Sequence, residues 1–86
     1  MVRVEFFGLA RTRAGVEAVD VDAGTLGDVV AQLSERFPVL AAACFEGGTV
    51  NRNWLFSLNG RVFTREPSAA LSDGDTLLLL SADAGG

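Results

Sequence analysis

The chain closes on Gly85-Gly86, and the carboxylate these glycines carry is the group in the sequence best suited to chemistry. Glycine has no Cβ and tolerates positive φ, so a diglycine end can thread a channel too narrow for other residues. With 10 glycines among 86 residues, such an ending arises by chance in roughly 1–2% of sequences of this composition. The pair therefore reads as functional. The preceding Ser81-Ala82-Asp83-Ala84 is small and without periodicity. Residues 82–86 are accordingly expected to form a flexible tail on a domain spanning 1–81. The six residues after Leu80 reach at most about 20 Å when extended, enough to enter the cleft of a second protein.

The rest of the inventory is poor in catalytic groups. There is no histidine, tyrosine or lysine. The usual general base near neutral pH is missing, Schiff-base chemistry is excluded, and so is a zinc site of His and Cys. The one cysteine, Cys44, follows three alanines and reads as a buried structural thiol. Asp73 and Asp75 flank Gly74 as turn formers rather than metal ligands. Gly47-Gly48 lacks the lysine and the following helix of a phosphate cradle. The chain is expected to bind no metal or cofactor and to be no enzyme by itself. It would be acted on by others.

Partners then need a docking surface. Val2, Val4 and Phe6 alternate with Arg3, Glu5 and Phe7, the period of a strand. Thr76-Leu77-Leu78-Leu79-Leu80 reads as a strand covered on both faces, or covered on one and sticky on the other. If Val4, Phe6, Leu77 and Leu79 face inward, alternation turns Phe7, Leu78 and Leu80 outward. Adjacent first and last strands would join these three into an apolar patch beside the tail, unless residues 39–45 or a loop cover it. Arg11 and Arg13 lie nearby in sequence and could pair with acidic groups on a partner.

Bulk properties bound the setting. One domain is expected at this length, and 49% hydrophobic against 21% charged residues argues for a packed core. The net charge is −4, all seven basic residues being arginine, which speaks against a nucleic-acid footprint. No apolar run approaches the roughly 20 residues that span a bilayer, and Met1–Glu5 does not resemble a signal peptide. A cytoplasmic location without membrane attachment is expected.

The elements that must position these residues follow in order. After the first strand, Gly8 to Gly15 reads as a loop, and 16–22 as a second strand with Val19 and Val21 inward. Thr25 caps a helix in which Leu26, Val29, Val30, Leu33 and Phe37 form one apolar stripe. Gly27 weakens its first turn, and Pro38 stops it. Residues 39–45 fit a short helix or a buried turn, and 46–53 a polar loop. Trp54–Leu58 reads as a strand with Trp54 at the core edge. Asn59-Gly60 signals a tight hairpin into a return strand over Arg61 to Thr64. Arg65 to Ser72 is irregular, and Asp73-Gly74-Asp75 turns into the last strand. A helix across one face of a mixed sheet of about five strands is an α+β domain. It is a β-grasp, as in ubiquitin, if the last strand lies parallel beside the first.

Several pieces of the chain are together similar to the sulfur-carrier branch of ubiquitin-like proteins, and most of all to the small subunit of molybdopterin synthase. They are Val4-Glu5-Phe6-Phe7-Gly8 with Arg11 and Gly15, the helix opened by Thr25, Leu58-Asn59-Gly60, Leu71-Ser72-Asp73-Gly74-Asp75, and Gly85-Gly86. The resemblance implies the β-grasp fold and a cycle. An adenylating enzyme of the ubiquitin-activating kind uses ATP to activate the Gly86 carboxylate, and a sulfur donor such as a sulfurtransferase converts it to a thiocarboxylate. The tail then delivers sulfur to an acceptor enzyme, in the molybdenum-cofactor pathway the large synthase subunit. Relatives serve thiamine, cysteine, thionucleoside or natural-product synthesis, or modify proteins. Arg11 falls at the matching family position and is favoured over Arg13. Ser81-Ala82-Asp83-Ala84 stands where the molybdopterin-type tail often carries proline.

Overall fold

Alternation along Val2-Arg3-Val4-Glu5-Phe6 builds strand β1 (Val2–Phe6), which buries Val2, Val4 and Phe6 on one face. The computed structural model describes residues 1–83. Strand β2 (Ala18–Val21) pairs antiparallel with β1, Val4 opposite Val19 and Val2 opposite Val21. The segment between them is not the expected loop. Leu9–Ala14 is a short helix, α1, launched from Gly8 at φ 60° and closed by Gly15 at φ 79°, whose N–H donates to the Arg11 carbonyl. Glycines at both ends of this segment are helix boundaries, with Gly15 the left-handed cap. Six residues with Ala10 alone buried are too few to register a 3.6-residue period.

Helix α2 (Leu26–Arg36) forms as its pattern predicts: the Thr25 hydroxyl accepts from Asp28 N–H at 3.2 Å, and Leu26, Val29, Val30 and Leu33 are buried. Gly27 has a specific reason. The 67–71 segment lies across this helix end, with Gly27 N–H donating to Pro67 O at 2.9 Å and Leu26 N–H to Ala69 O at 3.0 Å. A Cβ on Gly27 would sit 3.2 Å from that Pro67 oxygen. Pro38, which ends α2, also opens the next helix, α3 (Pro38–Cys44), where a missing N–H costs nothing.

Strands β3 (Phe45–Glu46) and β4 (Thr49–Val50) form a small hairpin inside the expected 46–53 loop. Gly47 and Gly48 at its tip both take positive φ. Strand β5 (Trp54–Leu58) turns through Asn59 and Gly60, at φ 53° and 68°, into β6 (Val62–Thr64). The last strand, β7 (Thr76–Ser81), runs parallel to β1 and antiparallel to β5. The sheet order is β2-β1-β7-β5-β6. With the helices on one face, this is the α+β β-grasp architecture. The core joins Val4, Phe6, Phe56, Leu77 and Leu79 of the sheet to Leu26, Val29, Leu33, Leu40 and Cys44 of the helices. Phe6 meets Phe37 edge-on at 5.7 Å.

Candidate functional site

Because side chains alternate, β-pairing register decides what the uncovered face of the sheet presents. Val4, Leu77 and Leu58 form one inward row, and Phe6, Leu79 and Phe56 the next. The rows between them point outward: Glu5, Leu78, Ser57 and Phe63 in one, Leu80 beside Leu55 in the next. Phe7 lies just past β1, its N–H donating to Leu79 O at 3.2 Å. That bond continues the parallel register and puts Phe7 at the level of Leu80.

Of the residues expected on this face, Phe7 is 53% exposed and Leu78 is half-buried. Leu80 departs from expectation: it is on the outer face yet only 8% exposed. Leu55 of β5 stands directly opposite Leu80, and Phe7, just past the end of β1, lies at its level on the other side. Residues 39–45 do not cover the patch, since Leu40 and Cys44 turn into the inner core. Phe63, 63% exposed and opposite Ser57, and half-buried Leu55 extend the apolar surface and were missed from sequence. The signal for Phe63 was present in the Asn59-Gly60 turn, which fixes the β5–β6 register.

Arg11 reaches this face from α1. Its Nε donates to Phe6 O at 3.4 Å and its Nη1 lies 3.4 Å from Glu17 Oε1. Together with Arg3, Glu5, Phe7 and Leu78 it lines a shallow depression. Arg3 Nε donates to Glu5 Oε2 at 2.9 Å, and this bond holds the Arg3 guanidinium more firmly charged than usual. Arg13 instead borders α3, beside Val39 and Ala42. Arg11, Phe7 and Leu78 are thus brought together, apart from Arg13.

Cys44 is fully buried, and burial pushes its thiol up to about 11 against a smaller opposing influence of Arg13. It has the character of an unreactive core residue. No helix among the described residues is long and apolar enough to cross a membrane.

Strand β7 leads directly to the chain end. Ser81 pairs with Trp54, and Ala82 N–H donates to Asn53 O at 2.8 Å. Gly85 and Gly86 lie outside the described residues. The profile of the ThiS family matches residues 4–86, nearly the whole chain and its diglycine end. The chain belongs to the ThiS family. It is a ubiquitin-like sulfur carrier of the ThiS type. Among solved structures, this ThiS-family chain is 27% identical to SAMP1 of Haloferax volcanii, covering 99% of this chain and 98% of that one at a TM-score of 0.78. It is 24% identical to a chain of the BexX/CysO complex of Amycolatopsis orientalis, with full coverage of both and a TM-score of 0.81. A protein of Pyrococcus furiosus described as a putative molybdopterin converting factor, subunit 1, shares the fold. It has 22% identity, covering 93% of this chain and 94% of that one, at a TM-score of 0.70. A search of curated proteins found no match.

Proposed function

We propose that the Gly86 carboxylate is the sulfur-bearing group and that this chain serves as the small subunit of a molybdopterin synthase. In the first step a carboxylate oxygen attacks the α-phosphate of ATP within an adenylating enzyme, giving the acyl-adenylate and releasing pyrophosphate. A hydrosulfide equivalent from a sulfur donor then attacks the acyl carbon and expels AMP, leaving a thiocarboxylate. Transfer of that sulfur to a precursor on the acceptor enzyme, with water supplying the replacing oxygen, regenerates the carboxylate. The protein contributes an activatable end and a surface to hold it in place, and the partners contribute the catalysis.

The observation that carries this reading is the parallel pairing of β1 with β7. It brings exposed Phe7 and half-buried Leu78 into one apolar patch beside the strand that leads to the tail, with Arg11 at its rim. A partner gripping that patch would receive the tail in a fixed direction. The test is intact-mass spectrometry after incubation with ATP, an adenylating enzyme and a sulfur source. The expected gain is the exchange of one oxygen for sulfur, abolished by deleting Gly86. Unchanged mass, or normal sulfur delivery without Gly86, would refute it. Pulldown of the acceptor tests the pathway: capture of a thiamine, cysteine or thionucleoside enzyme in place of a synthase large subunit would reassign it.

A second reading is favoured by the 27% identity to the small archaeal modifier protein 1 of Haloferax volcanii. In this reading the activated carboxylate of the present chain would end as an amide on a lysine of a target protein. An adduct that survives denaturation and needs Gly86 would establish it. With no lysine of its own, the chain could not build such links on itself.

A further inference from the structure

The root of the tail is held by a backbone carbonyl whose two neighbours are bonded by one side chain remote in sequence. Three successive carbonyls, those of Arg52, Asn53 and Trp54, are involved. Arg65 Nε donates to Trp54 O at 2.8 Å, and its Nη2 donates to Arg52 O at 3.2 Å. The carbonyl between these two, Asn53 O, accepts from Ala82 N–H at 2.8 Å. The guanidinium thus clamps the peptide units on either side of the one acceptor that ties down Ala82. The backbone of Arg65 is fixed in turn by Thr49 Oγ1, which donates to Arg65 O at 2.5 Å. Asn51 steadies the near side of the same loop: its Nδ2 donates to Ala43 O at 3.1 Å and its Oδ1 accepts from Asn53 N–H at 2.9 Å.

We infer that Arg65 is a positioning residue that sets the working length of the tail. The inference rests on the carboxylate-activation reading above. With Ala82 tied to Asn53, four residues remain to the carboxylate, a reach of at most about 14 Å. Without that tie, the last fixed point moves back along β7 and more than four residues lie beyond it. Activation requires the carboxylate to meet the α-phosphate in a narrow range of approach, and a longer unanchored stretch reaches it less often. Docking of the body through Phe7 and Leu78 does not involve Arg65. The tie therefore governs turnover and not affinity. A planar, forked guanidinium suits two divergent carbonyls, whereas an ammonium is a single point of contact.

The experiment compares wild type, Arg65→Gln, Arg65→Lys and Thr49→Val in ATP–pyrophosphate exchange by the adenylating enzyme. Amide hydrogen exchange by NMR is read in parallel on the free carrier. Arg65→Gln is expected to lower kcat about tenfold, the ordering of roughly one backbone residue, with KM within about twofold. It is also expected to speed exchange at the Ala82 amide by at least about tenfold. Arg65→Lys should recover at most part of both effects. Thr49→Val loosens the Arg65 backbone but keeps the guanidinium clamp, and should change both readouts less than Arg65→Gln does. Wild-type kcat in Arg65→Gln, unchanged Ala82 protection, or an equal kcat loss in Thr49→Val would overturn the inference. If wild type supports no exchange of pyrophosphate, the activation reading fails. The Ala82 amide still reports whether Arg65 holds the root.

Discussion

Asn59 grips Thr76 from two sides. Its backbone N–H donates to Thr76 O at 2.8 Å, and its side-chain Oδ1 accepts from Thr76 N–H at 2.9 Å. The hairpin tip is thereby bonded to the first residue of the strand that carries the tail. Asn59 also stands at φ 53°, a left-handed conformation that asparagine tolerates better than alanine. Asn59→Ala is expected to cost about 1–2 kcal/mol from the lost bonds and the backbone strain together. Asn59→Gly, which relieves the strain, should cost less. Urea denaturation of the two variants separates the contributions.

Asp75 completes that junction and makes it sensitive to acid. The Ser72 backbone N–H donates to its Oδ2 at 2.8 Å and Asn59 Nδ2 to its Oδ1 at 3.0 Å, which together hold the carboxyl below its ordinary value of 3.8. The unfolded chain then binds more protons than the folded one as pH falls through this range. The stabilisation is complete above the ordinary value and disappears as pH drops through the depressed one. Thermal melts of wild type and Asp75→Asn across the acid range should converge at the lowest pH. A constant difference at every pH would contradict the assignment.

Phe7 and Leu80 share a face but should respond differently to truncation. Phe7 is 53% exposed, so Phe7→Ala is expected to leave the melting temperature nearly unchanged while raising KM for the adenylating enzyme about tenfold. Leu80 is 8% exposed, and Leu80→Ala is expected to lose about 2–3 kcal/mol of stability. Melting curves measured beside the kinetics distinguish a lost contact from a weakened sheet.

Gly27 should resist substitution despite its place in a helix. Alanine improves helix propensity by up to about 1 kcal/mol. Against that, its Cβ would press on the Pro67 oxygen that Gly27 N–H itself holds. Gly27→Ala is expected to be net destabilising by about 1 kcal/mol, with the 67–71 segment lifting from α2. Chemical denaturation and the amide exchange of Leu26 and Gly27 report the two effects.

Cys44 is expected to stay silent in the folded protein. Its buried thiol, pushed up to about 11, should not react with a disulfide reagent at pH 8, and should react fully in denaturant. Prompt labelling of the native protein would show that α3 opens readily.

Much of the sheet was legible because its signals are local and redundant. The alternation in Val2–Phe6, the Asn59-Gly60 turn and the Thr25 cap each rest on a few adjacent residues. Helix α1 and the β3–β4 hairpin were not legible, since six-residue and two-residue elements leave no period to read and look like glycine-bounded loops. The inward and outward faces of β7 followed from parity. The burial of Leu80 did not, because it depends on which residues of distant segments come to lie beside it. The Ala82–Asn53–Arg65 arrangement was invisible for the same reason: it joins three segments that only tertiary structure brings together.

The parallel pairing of the first strand with the last has a consequence for when the protein becomes competent. The exposed patch takes Phe7 from one end of the chain and Leu78 from the other, and β7 must slot between β1 and β5 before the two meet. Pairings so distant in sequence form late. A nascent or partly opened chain thus lacks this patch, even though its C-terminal residues are chemically intact. Under the proposed function, a partner that requires the patch would inspect the fold before committing ATP to the end of the chain.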